Sequence, residues 1–600
     1  MRIKLFAAAS ALAIGLAAAG AASAQDYGRI ITFGDSLSDN GNLYAATGGA
    51  QPLSPPYYQG RFSSGPVWVE LLGFTQARVG GSVTGSINYA YGGARTDLAA
   101  MPPGMRTQLG MYQMGGGTFD SDDLVTVYGG ANNIFQGLPA AAVNPDPFGY
   151  INGVSTAAAA DIGLIVNTIA AAGAGTILVP NLPNLGATPQ FAGTAGQGLA
   201  TQATNTFNGA LFAQLTARAA ANPNTNIIHM DVNRAFSAIQ LAPGRFGFSN
   251  ISQPCFNGVT VCSSPDSYLY FDTVHPTVRG QQLLAALAVD HIYYLDLGAH
   301  SALQAEIGVR SRADGLDAAT ARLGYGGFED LDGGIFVGAG YEQGSLDERG
   351  DIPGGDIEST SFVAGAEGNA SPNLRGGFMF AARQGEVSVD LVNFDAQSVS
   401  FDGYAGWRSG AMFVNASAGV SFDRYEDILR QTALAGVVNM SSTEGTTVGA
   451  KVEGGMIFGM GGWSLVPRAG LSWISTEVEG YTEEGDVTAL HEVASRGVDQ
   501  VSAEAVLRLQ GGMGPGVNLW AEAGYRDVLS HEGDDVTVGL AGNTALPLSF
   551  DPGDPDGGQT LLGAGLATHW GPAEISVGYR GRMGEAYDSH QGGVEVTFAF

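Results

Sequence analysis

Six hundred residues exceed what a single hydrophobic core organises, so the chain divides into at least two domains. Its formal charge of −30 is uneven: residues 25–300 carry 15 acidic and 9 basic side chains, net −6, whereas residues 301–600 carry 42 and 16, net −26. An acidic surface of this kind argues against nucleic acid, whose phosphates it would repel.

The chain opens with Arg2 and Lys4, an apolar run over 5–19, and Ala22-Ser23-Ala24. These are the three parts of a secretory signal, expected to occupy residues 1–24 and to be cleaved after Ala24. No later segment approaches the roughly 20 continuous apolar residues of a membrane helix. From residue 25 to about 298 the pattern mixes short apolar strands with helices. Residues 30–33 form an apolar β-type run followed by the turn-forming Gly-Asp-Ser-Leu-Ser-Asp-Asn-Gly-Asn. Further strands are predicted over 124–130, 175–183 and 226–232, and helices over 154–173, 202–221 and 277–297. That alternation predicts a parallel sheet covered on both faces, with its ligand beyond the carboxyl ends of the strands. Cys255 and Cys262 are the only cysteines, and seven positions apart in an exported protein they predict one local disulfide.

A helix is predicted over 301–323, and beyond it the period changes to two. About twelve segments alternate apolar with small or polar residues, with a weaker thirteenth at 535–543. A soluble sandwich needs large aliphatics on its inner face. Here one face is Gly, Ala, Ser and charge, Lys451 and Glu453 among them, as a wet or plugged barrel lumen requires. Tyr341, Tyr404, Trp407, Trp463, Trp473, Trp520 and Tyr525 fall toward strand ends, where interfacial aromatic girdles are expected.

A serine hydroxyl needs a base, and the base an orienting partner. Ser36 follows the first strand. His275 stands in Asp-Thr-Val-His-Pro, where Asp272 can reach one ring nitrogen and leave the other for a serine; the same aspartate could equally cap the following helix. His229, flanked by Ile228 and Met230, reads as a core residue. Donors for a developing oxyanion are offered by Gly92-Gly93 and by Asn132, just after a predicted strand. Leu43, Tyr44, Ile134 and Phe135 suggest an acyl pocket. No cluster has metal-ligand spacing, and neither a metal nor a cofactor is expected.

The blocks Phe-Gly-Asp-Ser-Leu-Ser-Asp-Asn-Gly-Asn, Asn-Tyr-Ala-Tyr-Gly-Gly-Ala-Arg-Thr, Gly-Gly-Ala-Asn-Asn and Asp-Thr-Val-His-Pro, in that order over 27–297, resemble those of the GDSL, or SGNH, serine hydrolases. The resemblance implies a flavodoxin-like α/β sandwich with Ser36 as nucleophile, His275 as base and Asp272 orienting it. The N–H groups of Ser36 and Gly93 and the side chain of Asn132 would form the oxyanion hole. The chain departs from the family at Asn133, usually aspartate, where an effect on local hydrogen bonding is expected. The second half is similar to autotransporter translocator domains, which implies a twelve-stranded antiparallel outer-membrane β-barrel with a helix in its lumen.

Together the resemblances imply a signal peptide (1–24), a hydrolase passenger (25–298), a linker helix (299–325) and a barrel (326–600). The expected activity is a cell-surface carboxylesterase or lipase working through an acyl-enzyme. Its partners would be an ester or lipid substrate, outer-membrane lipid and, during export, periplasmic chaperones and the barrel assembly machinery. Acyl transfer to a sterol or sugar acceptor is a rival within the same chemistry, and a non-catalytic adhesion passenger is a rival outside it.

Overall fold

Short runs of Ile, Val and Leu that are buried on both faces cannot alternate with polar residues, and this builds the centre of the first half. The computed structural model describes residues 27–292, 295–324, 333–349, 352–389, 392–434, 436–514, 516–541, 546–554 and 558–599, so the expected signal peptide lies outside the described residues. Strands β1 (Arg29–Gly34), β2 (Ala77–Arg78), β3 (Ile87–Asn88), β4 (Asp123–Tyr128), β5 (Thr176–Pro180) and β6 (Asn226–Met230) form one parallel sheet in the order β2-β3-β1-β4-β5-β6. Without the two-residue β2, this is the order of flavodoxin-like sheets. The predicted strands 124–130, 175–183 and 226–232 run on into the loops after β4, β5 and β6, because Gly, Pro and Asp end the pairing there.

Helices α1 (Asn42–Ala46), α2 (Met105–Met114), α3 (Ala131–Ala142), α4 (Pro147–Ala171), α5 (Gln197–Ala221), α6 (Val232–Leu241) and α7 (Val278–Ile292) surround this sheet. By length and composition α4 is apolar enough to cross a membrane, a feature missed when only unbroken apolar runs are sought. It packs instead on α3 and α5 and buries Ile151, Ile162, Ile165, Val166 and Ile169, while its Asp161 pairs with Arg106 at 3.1 Å.

Helix α8 spans Leu295–Arg322, starting earlier than the expected residue 299. Twelve long antiparallel strands follow, from Gly333–Leu346 to Tyr587–Ala599, and the last pairs with the first, Tyr587 opposite Leu346, which closes the barrel. The weak thirteenth segment is not a wall strand: Val536–Leu540 joins a small separate sheet with Tyr481–Thr482, His491–Val493 and Leu548–Phe550.

Alternation sorts the barrel's side chains. Ile335, Val337, Phe362, Phe378, Phe401, Leu471, Leu507 and Val594 are exposed on the outer wall, the apolar band that lipid requires. Tyr341, Trp407, Trp473 and Tyr525 share that exposure. Tyr404 does not belong to the girdle: it is buried and donates to Glu367 at 3.0 Å inside the barrel. Trp520 also departs from the girdle, lying 4.3 Å under the Arg508 guanidinium, on the register of the charged Glu522 and Arg526. Parity along a strand, not position near its end, decides which aromatic faces lipid.

The lumen is filled by α8, held by charge. Asp317 receives Lys451 at 2.7 Å and Arg526 and Arg582 at 2.8 Å, Asp314 pairs with Arg383 at 2.9 Å, and Arg312 with Asp402. Removing one partner of such a buried cluster leaves the others uncompensated, at about 3–5 kcal/mol. We therefore expect Asp317→Ala to lower the temperature at which the barrel unfolds in SDS gels, whereas an exposed change such as Glu444→Ala leaves it within a few degrees; equal temperatures would show that α8 is not anchored through Asp317.

Candidate active site

The site forms where the carboxyl end of β1 runs into a turn. Gly34 is followed by Asp35 to Ser38 in a turn whose Ser38 N–H donates to the Asp35 carbonyl at 3.1 Å. This projects Ser36 over the sheet edge. The next residue but two, Asp39, is wholly buried and accepts from the N–H groups of Gly41, Asn42, Leu43 and Gly92 at 2.6–3.2 Å. Burial pushes its pKa up, and those donors oppose the rise. Asp39 thus ties the serine turn to the Gly92-Gly93 loop.

Some 240 residues later, a second turn brings in the histidine. Phe271 N–H donates to the His275 carbonyl at 2.7 Å and Thr277 N–H to Leu269 at 3.0 Å, so 271–275 is a tight loop before α7. Asp272 reaches the imidazole but does not cap the following helix, because the N–H groups it engages lie in its own turn and α7 begins only at Val278. Asp272 Oδ1 caps the turn, accepting from the N–H of Val274 at 2.9 Å and of His275 at 2.8 Å, while its Oδ2 lies 2.6 Å from His275 Nδ1. His275 Nε2 then stands 2.8 Å from Ser36 Oγ. The structure therefore brings Ser36, His275 and Asp272 into one hydrogen-bonded chain.

Gly93 and Asn132 face the same cavity as Ser36. Gly93 has φ +77°, a conformation that side chains resist, and among the described residues no protein acceptor engages its N–H or that of Ser36. Gly92 is glycine for another reason: a Cβ there would lie 2.2 Å from the Phe62 ring. Asn132 sits in the first turn of α3, where the helix dipole favours negative charge. Its Nδ2 donates to the Ala94 carbonyl at 3.0 Å and makes a longer contact, 3.4 Å, with Asp35 Oδ2. Asn133 points away, accepting from Thr96 N–H at 3.0 Å and donating to Thr96 Oγ1 at 3.1 Å, a local tie between two site loops.

The cavity of about 420 Å³ lies within the usual range for small-molecule sites. Leu43 and Phe135 line it as expected, joined by Phe62, Leu182, Leu185 and Phe236. Tyr44 and Ile134 do not: Ile134 is fully buried in the core and the Tyr44 ring packs over Gly60. His229 lies on β6 with its ring 5.4 Å from Phe212, away from the serine. Cys255 and Cys262 are joined by a disulfide that closes the loop bearing Phe256.

Sequence reasoning missed Tyr57. Its hydroxyl donates to Asp272 Oδ2 at 2.7 Å, across 215 residues, and a tyrosine in a Pro-rich loop carries no local signal for that.

Electrostatics follow from this geometry. Burial alone would raise the pKa of Asp272, but the His275 charge, its hydrogen bond and the two N–H donors hold the carboxyl well below the ordinary range. For His275, burial lowers the pKa, and Asp272's charge and hydrogen bond, with the charge of Asp35, outweigh it and leave the imidazole above its ordinary value of 6.5. Burial lifts Asp35 to about 6.

The model of the GDSL-like Lipase/Acylhydrolase family matches residues 30–288, and that of the Autotransporter beta-domain matches residues 335–580. The chain belongs to the autotransporters that carry a GDSL-family hydrolase. Esterase EstA of Pseudomonas aeruginosa is 25% identical, over 96% of each chain. Phosphatidylcholine-sterol acyltransferase of Aeromonas hydrophila is 30% identical over 239 residues, 39% of this chain and 66% of the relative. Among solved structures, the translocator domain of the autotransporter NalP from Neisseria meningitidis matches 51% of this chain and 99% of its own, at 18% identity and TM-score 0.41. This GDSL autotransporter is an esterase or lipase, set in the outer membrane by its barrel with the passenger at the cell surface.

A base accepts a proton only when neutral, so we expect the rate at which a fluorophosphonate labels the passenger to rise with pH through a midpoint above 6.5. Asp272→Asn removes the charge that favours the imidazolium and should move the midpoint down. A wild-type midpoint below 6.5 would contradict the balance of burial against the Asp272 charge.

Proposed function

We propose that Ser36 is the nucleophile of this esterase, His275 its general base and Asp272 the group that fixes the tautomer and orientation of His275. The observation that carries the reading is the unbroken chain from Ser36 Oγ through His275 to Asp272, at 2.8 and 2.6 Å. In this reading Ser36 Oγ attacks the ester carbonyl while Nε2 takes its proton, and Nε2 then returns the proton to the departing alkoxide. Water, activated by the same nitrogen, releases the acyl group from Ser36.

The oxyanion would be met by the N–H groups of Ser36 and Gly93 and by the Asn132 amide, each donor worth a hundredfold to a thousandfold in rate. Asn132 would keep its bond to Ala94 and exchange the 3.4 Å contact with Asp35 for the oxyanion. The apolar lining from Leu43, Phe62, Phe135 and Leu185 supports an acyl chain as the group bound beside Ser36. We further assign residues 25–298 to the passenger and 326–600 to the exporting barrel, assembled with periplasmic chaperones and the barrel assembly machinery, as the closed antiparallel wall supports.

The likeness to phosphatidylcholine-sterol acyltransferase favours one second reading, in which an acceptor hydroxyl replaces water in the last step. Adding sterol or sugar acceptors and looking for their acyl esters separates the two.

Ser36→Ala should abolish turnover of p-nitrophenyl butyrate while the protein still reaches the cell surface; turnover at the wild-type rate would refute the assignment. Each methylene buried is worth about 0.8 kcal/mol, so kcat/KM should climb about two- to fourfold per added methylene from acetate toward octanoate. A flat series would mean that the acyl group lies outside this cavity.

A further inference from the structure

Asp272 is approached by four donors, and only three of them belong to its own turn. Oδ1 accepts two backbone N–H groups and Oδ2 accepts His275 Nδ1–H. The fourth is the Tyr57 hydroxyl, 2.7 Å from that same Oδ2. Its ring is clamped between aromatic neighbours, with centroids 5.9 Å from Phe62, 5.8 Å from Phe256 and 5.3 Å from Phe271. Phe62 in turn lies 5.1 Å from the His275 ring.

We infer that Tyr57 is a positioning residue of the reaction, donating its hydroxyl hydrogen to Asp272 Oδ2 so that the carboxylate cannot rotate and shares its charge between the phenol and the imidazole. The inference rests on the assignment of Ser36, His275 and Asp272 given above. Tyr57 touches neither the ester nor the serine and acts through Asp272.

The phenol remains a donor: burial and the neighbouring carboxylate both push its pKa up, so it has no ionised form in the working range. A carboxylate whose lone pairs are all engaged has one orientation available, and the imidazole inherits it. The bond to Oδ2 also draws charge from the atom that stabilises the imidazolium. Without it, Asp272 holds the proton on His275 more strongly, and the base becomes available only at higher pH.

Tyr57→Phe removes the hydroxyl and keeps the ring between Phe62, Phe256 and Phe271. In the full-length chain in detergent, with kcat normalised to the fraction labelled by a fluorophosphonate, we expect kcat for p-nitrophenyl butyrate to fall about tenfold with KM within about twofold. The acid limb of kcat/KM should move up by about half a pH unit. Tyr57→Ala should shift the limb equally while also lowering thermal stability, because it removes the ring. A Tyr57→Phe profile superimposable on wild type overturns the inference, as does a fall in kcat with an unmoved limb, which would mark a structural role only. Ser36→Ala separates the two claims: retained turnover there sinks the triad itself, whereas an inactive Ser36→Ala beside an unchanged Tyr57→Phe sinks only the role of Tyr57.

Discussion

The passenger depends on the cost of taking the Asp272 carboxylate out of water. A buried anion is tolerable only when its oxygens are engaged, and here the donors are two N–H groups, an imidazole and a phenol. Satisfying the anion therefore folds the loop. The 271–275 turn closes around Oδ1, the imidazole is fixed by Oδ2, and the loop bearing Tyr57 is drawn in from 215 residues away. The same rule operates at Asp39, where four N–H groups converge on one buried carboxylate and join the serine turn to the Gly92-Gly93 loop. Asp272 and Asp39 thus hold four loops at one sheet edge, and the Ser36 to His275 contact results from their meeting.

The second half solves the opposite problem, since its outer face meets lipid and its interior must satisfy charge. Twelve strands closed by the pairing of Tyr587–Ala599 with Gly333–Leu346 leave no free edge, as backbone groups in a bilayer require. The large negative charge of this half is partly paired within the lumen, where Asp314 and Asp317 of α8 meet Arg383, Lys451, Arg526 and Arg582. The pairs are polar on both sides, so the helix fits a lumen whose wall alternates with the lipid face. That alternation makes one sequence serve two solvents.

Elements repeated along the chain were legible from sequence, because period and composition carry them: parallel strands, the helices between them, the disulfide pair and the twelve alternating segments. The turn motifs around Ser36 and His275 were legible because the chemistry needs particular residue types at short spacing. What escaped was long-range and sterically decided. Tyr57 has no local mark of its partner, and Ile134 and Phe135 differ only in which side of α3 they occupy, one buried in the core and one lining the cavity. Tyr404 and Trp520 show the same limit in the barrel, since a single step of register separates lipid from lumen. The length of α4 misleads in the other direction, because a helix apolar enough for a bilayer serves equally as a core helix between α3 and α5.

Hydrolase and barrel also meet directly, through the two helices that wall the cavity. Helix α6 places Phe236 in the cavity lining, while two residues earlier Arg234 donates to the carbonyls of Gly485 and Asp486 in a barrel loop. Helix α7 does likewise: Leu284 lines the cavity, and Asp290 accepts from the N–H groups of Ala433 at 2.6 Å and Leu434 at 3.2 Å. Arg245, just after α6, donates to the Gly436 carbonyl at 2.9 Å. Each of these bonds engages a backbone group of a barrel loop, so side-chain substitution there would leave them in place; the Arg245–Asp486 ion pair at 3.4 Å is the side-chain contact it would remove. The wall of the cavity beside Ser36 and the passenger's anchorage are in this way the same pair of helices, and the mouth of that cavity takes its orientation to the membrane from the barrel as well as from the linker.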